Sequence, residues 1–92
     1  MGHPSVVGHP LRRRRSSIRS GAADALGMIR DAAAVPGLIH ALKDEDHRVR
    51  ADAAIALGEI GDVSAVPSLV KALNDEHFWV RLHAKAVLAK LE

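Results

Sequence analysis

Residues Val49–Trp79 read VRADAAIALGEIGDVSAVPSLVKALNDEHFW. Shifted back by 31 positions, Ile18–Asp46 reads IRSGAADALGMIRDAAAVPGLIHALKDED, and 16 of the 29 positions aligned between Ile18–Asp46 and Val49–His77 are identical. Shifted forward by 31, VRLHAKAVLAKLE (Val80–Glu92) opens a third unit that stops halfway. A fixed period of this length marks stacked supersecondary units, each unable to bury its apolar face alone.

Within each unit the apolar residues follow a helical period. The spacing predicts five helices, over Ser17–Arg30, Ala32–Lys43, His47–Ile60, Val63–Leu73 and Phe78–Leu91. The expected inner stripes of the first helices are Ile18, Ala22, Ala25, Leu26 and Ile29, then Val49, Ala53, Ala56, Leu57 and Ile60, then Val80, Ala84, Val87, Leu88 and Leu91. Pro36 and Pro67 sit in first turns, where the early N–H groups have no intrahelical partner. Asp31 and Asp62 are placed to cap the second helix of each unit, and Gly61 to stop the helix before it. Arg30 stands where Gly61 stands one unit later, so the first loop is expected to differ in conformation. No stretch alternates with period two. The fold class is therefore all-α, a right-handed α-α superhelix of two full repeats (16–46, 47–77) and a partial one (78–92).

Ninety-two residues, 48% of them hydrophobic but with only Phe78 and Trp79 aromatic, allow one domain whose core is Ala, Leu, Val and Ile. Cysteine is absent, which excludes disulfides and thiolate metal sites. No apolar run approaches the roughly 20 residues of a membrane span, and the Arg-rich start lacks the apolar segment of a secretory signal, so a cytoplasmic protein is expected. The net charge of +2 hides an asymmetry: residues 1–20 carry five Arg and no acid, residues 21–92 eight Lys/Arg against eleven Asp/Glu. Residues 1–15 (MGHPSVVGHPLRRRR) place Gly8 and Pro10 where the repeat needs a helix interior, and are expected to form a basic irregular tail preceding the 16–92 repeat domain.

Arg19, Arg50 and Arg81 recur at one position of every first helix. Asp44 precedes Arg50 by six residues and Asp75 precedes Arg81 by six, so an Asp–Arg ladder along the stack is expected. The pattern VR-x-x-A-A-x-A-L-G-x-I-G-D-x-x-A-V-P-x-L-x-x-A-L-x-D, complete in Val49–Asp75, resembles HEAT repeats of the phycobilin-lyase type and designed helical repeat proteins built on them. The resemblance covers residues 18–92 and departs at Arg30, Lys85, Val87 and Ala89. It implies an armadillo-like solenoid acting as a protein-binding scaffold; a minority of the family serve bilin lyases.

No constellation carries catalysis. The six His show neither His-x-x-x-His nor His-Glu spacing on one helix face, and are expected to be solvated side chains. No glycine-rich phosphate cradle occurs. The chain is expected to be non-enzymatic, with no cofactor and no metal.

Two surfaces remain. Arg12, Arg13, Arg14 and Arg15, with Arg19 as a fifth charge, could hold phosphates of a nucleic acid, although no aromatic is interleaved for base stacking. On a helical wheel, the side opposite the core stripe carries Ser16, Ser20 and Asp24 in unit one, His47, Ala51 and Ile55 in unit two, and Phe78, Leu82 and Ala86, beside Trp79, in the third. That face turns apolar towards the carboxyl end, and bare apolar faces mark interaction sites. The leading expectation is a protein-binding scaffold using Phe78, Trp79, Leu82, Ile55, His47 and Ala86, with a symmetric dimer through the last helix as the simplest closure. The alternatives are a nucleic-acid module acting through the Arg tract and an accessory subunit of a bilin-lyase-like enzyme.

Overall fold

The structure, a computed structural model, describes residues 10–91, and of residues 10–13 the backbone only. The chain runs α1 (Pro10–Ile29), a 3-10 turn (Ala32–Ala34), α2 (Val35–Ala41), α3 (His47–Ile60), a second 3-10 turn (Val63–Ala65), α4 (Val66–Ala72) and α5 (Phe78–Leu91), with no strand among the described residues. α1 and α3 are each followed by a 3-10 turn and a short helix, so the 31-residue period is a structural period.

Local chemistry sets the boundaries. Asp31 Oδ1 accepts from the Ala33 N–H at 2.9 Å, and Asp62 Oδ1 from the Ser64 N–H at 2.9 Å. Each starts a 3-10 turn that runs into a short helix carrying Pro36 or Pro67 in its first turn, where no N–H is needed. Asp46 Oδ1 caps α3 by accepting from the Arg48 N–H at 2.8 Å. Gly61 ends α3 with φ 75°, the left-handed conformation in which its N–H reaches the Leu57 carbonyl at 2.9 Å.

Arg30 adopts the same left-handed conformation, φ 60°, and its N–H reaches the Leu26 carbonyl at 3.1 Å. The first loop therefore does not differ from the second, contrary to the sequence expectation. The repeat imposes the turn, and Arg30 accepts the steric cost of a Cβ in that region.

Packing follows the long helices. α1 lies along α3 and α3 along α5, while α2 packs against α3 and α4 against α5. The short helix of each unit thus makes its main contact with the first helix of the next unit. The long helices approach closely because one side of each contact is small. A Cβ added at Gly27 would lie 2.8 Å from the Ala56 Cα, and one at Gly58 2.8 Å from the Val87 Cγ2.

This arrangement decides which expected stripes are buried. On α3, Val49, Ala53, Ala56 and Leu57 are buried, Ala56 against Gly27 of α1 and Leu57 with 0% exposure. On α5, Val80 and Ala84 are buried in one cluster with Ala51 of α3 and Ala72 of α4, and Val87 is buried against Gly58 of α3. On α1, no short helix among the described residues precedes it, and Ile18, Leu26 and Ile29, expected in the core, are 70%, 37% and 66% exposed. α1 contributes Ser16, Ala23 and Gly27 to the interior instead, the residues on its α3 side.

A further correction concerns the start of the first helix. α1 begins at Pro10, so residues 10–15 are helical rather than an irregular tail; residues 1–9 lie outside the described residues. Pro10 as the first helical residue meets no penalty, because its missing N–H would have had no partner.

Leu57→Ala should destabilise the fold by about 2–5 kcal/mol, since it empties a fully buried site. The equivalent Leu26→Ala should cost about 1 kcal/mol, since that side chain is already partly in water. Urea denaturation of the two variants compares them directly; equal losses would show that α1 is as covered as α3. Arg30→Gly should raise stability by about 0.5–1 kcal/mol by removing the left-handed Cβ clash, whereas Gly61→Ala should lower it by about as much. Melting temperatures moving the opposite way in either variant would contradict the loop assignment.

Candidate functional site

The recurring arginines hold the loops that join the units. Arg19 donates to the Asp44 carboxylate from Nε at 2.7 Å and from Nη2 at 3.1 Å. Arg50 donates to the Asp75 carboxylate in the same fork, at 2.8 and 3.1 Å. Arg50 Nη1 also donates to the backbone carbonyl of Asp44 at 2.7 Å, and Arg81 Nη1 to that of Asp75 at 2.7 Å. The geometry joins Arg19, Asp44, Arg50, Asp75 and Arg81 in one chain of hydrogen bonds. Its rungs differ from those expected: the spacing of six is an arginine-to-carbonyl contact, and the carboxylate pairing spans 25 residues within a unit.

Each Asp works twice. Asp44 Oδ1 also accepts from the Asp46 N–H, and Asp75 Oδ1 from the His77 N–H, both at 2.9 Å. Burial alone would raise the Asp75 carboxyl, but the Arg50 guanidinium and the His77 amide outweigh it and hold it below the usual carboxylate range. Asp46 is lowered on the same balance: burial opposes, and the Arg48 side chain and N–H, with Ser16, prevail.

The expected outer face of the first helices splits in two. Ser16 and Ala51 are buried, contrary to their placement on a solvated side, because that side of one long helix meets the next long helix in the stack. Ser20 and Asp52 join α1 to α3 there through a hydroxyl–carboxylate hydrogen bond. Nearby, burial, with Asp52 and Glu59, raises the Asp24 carboxyl. At α5, which no described long helix covers, the face is open and apolar: Phe78, Trp79 and Leu82 are 61%, 44% and 51% exposed, and Ala86 is exposed beside them. His47 and Ile55 are half-buried at the edge of this surface.

A run of rings crosses that edge. The His47 and His77 rings stack at 3.7 Å with planes 7° apart. His77 stacks on Phe78 at 5.3 Å, Phe78 meets Trp79 edge-on at 6.0 Å, and Trp79 meets His83 edge-on at 4.9 Å. His77 Nδ1 accepts from the Trp79 N–H at 3.1 Å. It therefore caps α5 as Asp46 caps α3, with the proton on Nε2. These histidines are not the independent solvated side chains expected from sequence. The signal was present: His77 stands 31 residues after Asp46.

The basic tract lies at the start of α1. Arg14 and Arg15 are exposed on the second turn of α1; the side chains of Arg12 and Arg13 lie outside the described residues. Consecutive helical residues point about 100° apart, so Arg14 and Arg15 diverge from one another. Arg19 is committed to Asp44 and is not a free fifth contact. Among the described residues, no three His, Cys, Asp or Glu side chains are grouped to hold a metal ion, and no helix is long and apolar enough to cross a membrane.

Long helices side by side, short helices bridging them and a repeated loop clamp define an α-helical repeat stack. The chain belongs to the HEAT-repeat family: the family model for HEAT repeats matches residues 11–89. That span takes in the first turns of α1 as well as all later elements. A comparison with curated proteins finds no match.

Asp75→Ala should cost about 3–5 kcal/mol, because it strands the Arg50 guanidinium in a site where the two side chains are 9% and 11% exposed. Arg19→Ala should cost far less, that side chain being 35% exposed. Because the folded Asp75 carboxyl is depressed, its contribution is complete above the ordinary carboxylate range and is lost as pH falls through it. The stability gap between wild type and Asp75→Asn should therefore narrow below about pH 4. A gap that widens on acidification would refute the depressed carboxyl.

Proposed function

We propose that this chain is a protein-binding scaffold whose contact surface is the open face of α5, formed by Phe78, Trp79, Leu82 and Ala86 with His47 and Ile55 at its rim. HEAT-repeat proteins commonly serve as interaction scaffolds, which makes the class. One observation carries the choice of surface. Phe78, Trp79 and Leu82 stand on one exposed side of a helix whose other side, Val80, Ala84 and Val87, is already buried.

Large rings on a bare apolar face are the residue types that dominate binding energies. Here the rings are held in place before any partner arrives. The stack from His47 to His83 and the His77 cap restrict Phe78 and Trp79, which lowers the entropy lost on binding. The scaffold acts in the cytoplasm and without catalysis of its own. The phycobilin-lyase type and its implied accessory role rest on the sequence resemblance alone.

A Phe78→Ser, Trp79→Ser variant should keep its melting temperature within a few degrees, because both side chains are exposed, and should bind partner proteins at least tenfold more weakly than wild type. Captured partners identified by mass spectrometry, then titrated against both forms, provide the measurement. Equal affinity for the two forms would remove α5 as the site.

A further inference from the structure

We propose that the open face of α5 receives the outer face of α1 from a second copy of the chain, so that copies join head to tail and continue the stack. The inference rests on the reading of α5 as an interaction surface and names its partner.

The repeat supplies the two halves of the contact. Inside the chain, consecutive long helices meet through two recurring pairs. One joins residues 29 apart: Gly27 lies on Ala56, and Gly58 on Val87. The other joins residues 32 apart, as in the Ser20–Asp52 hydrogen bond between α1 and α3. The forward side of α3 is thus formed by Ala51, Ile55 and Gly58, and its backward side by Asp52, Ala56 and Glu59. Consistently, Ile55 and Gly58 border one crevice with His83 and Val87 of α5.

Carried forward by 31 residues, the forward side becomes Leu82, Ala86 and Ala89 on α5, all exposed. Carried back by 31, the backward side becomes Gly21, Ala25 and Met28 on α1, also all exposed, Met28 by 77%. These two faces have the positions that meet between α3 and α5, and no element among the described residues covers either. A second copy displaced by three repeats sets Ala89 opposite Ala25 of the other copy, and Leu82 opposite its Gly21. The large side chain falls on the glycine and the small ones face each other, the same alternation that lets Gly58 receive Val87. The association is heterologous: the two surfaces are different, so it does not close at a dimer.

Sedimentation velocity over a concentration series provides the test, with two variants that each block one end. Leu82→Glu places a charge on the forward face and Ala25→Glu on the backward face. Both sites are exposed, and circular dichroism and melting confirm that each variant folds. Wild type should grow in mass with concentration beyond a dimer. Each variant alone should remain monomeric. An equimolar mixture of the two should form a one-to-one dimer and nothing larger, because each supplies the face the other lacks. The proposal is overturned if wild type stays monomeric up to its solubility limit. It is equally overturned if Ala25→Glu alone still dimerises and the mixture gains nothing, which would mark a two-fold contact of α5 with α5. If wild type is monomeric while Leu82→Glu still weakens capture of other proteins, the scaffold reading survives and the second copy is not its partner.

Discussion

A long helix in this chain is buried only when it has neighbours on both sides and a short helix beneath it. α3 alone meets all three conditions, lying between α1 and α5 over α2. Its Ala53, Ala54, Ala56 and Leu57 are fully buried. The same sequence positions on α1, Ala22, Ala23, Ala25 and Leu26, are exposed except for Ala23. Equivalence in the repeat is thus not equivalence in energy. What a side chain contributes depends on where its unit stands in the stack, as nearest-neighbour coupling in repeat proteins requires.

The loops transmit that coupling. Arg50 reaches forward to the carboxylate that closes its own unit and back to a carbonyl of the preceding loop. The forked contact with Asp75 fixes direction as well as distance, which a lysine at the same place would not. Because Asp75 also accepts from the His77 N–H, one carboxylate fixes the first-helix arginine, the loop and the start of the next long helix. Removing it would loosen three elements at once. The Arg50 side chain is 9% exposed against 35% for Arg19, and Arg81 is exposed, so the clamp is best covered at the central helix, where packing is also densest.

Much of this fold was legible in the sequence. The 31-residue period, the Asp caps and Gly61 placed four of the five helices within two or three residues, and the stripe from Val49 to Leu57 was found whole. What escaped has a common physical origin. Periodicity shows which positions are equivalent but not which units have neighbours, so Ile18, Leu26 and Ile29 were assigned to a core that does not reach them. It also cannot tell a helix face turned to solvent from one turned to the next helix, which is why Ala51 was misplaced. The loop at Arg30 shows the converse: the repeat demands a left-handed residue there, and the demand prevails over the local preference of arginine. Of the open surface, Phe78, Trp79 and Leu82 could be read from the wheel. The ring stack that holds them depends on His47 and His77 meeting between successive units, with α3 and α4 between them in sequence, which no local pattern shows.

Bare stack ends follow from the same constraint as the buried centre, and they connect the fold to its use. An apolar side that no unit of the chain covers is available to another chain, and α5 offers aromatic rings there. The account's central claim is that protection from solvent is graded along the stack. Native-state hydrogen exchange in dilute solution, resolved by residue, measures that gradient directly. The amides of α3 around Ala53–Leu57 should exchange slowest, those of α5 faster, and those of α1 around Ile18–Leu26 faster again. Amides of α1 as slow as those of α3 would contradict it, and would mean that the first helix is covered as fully as the central one.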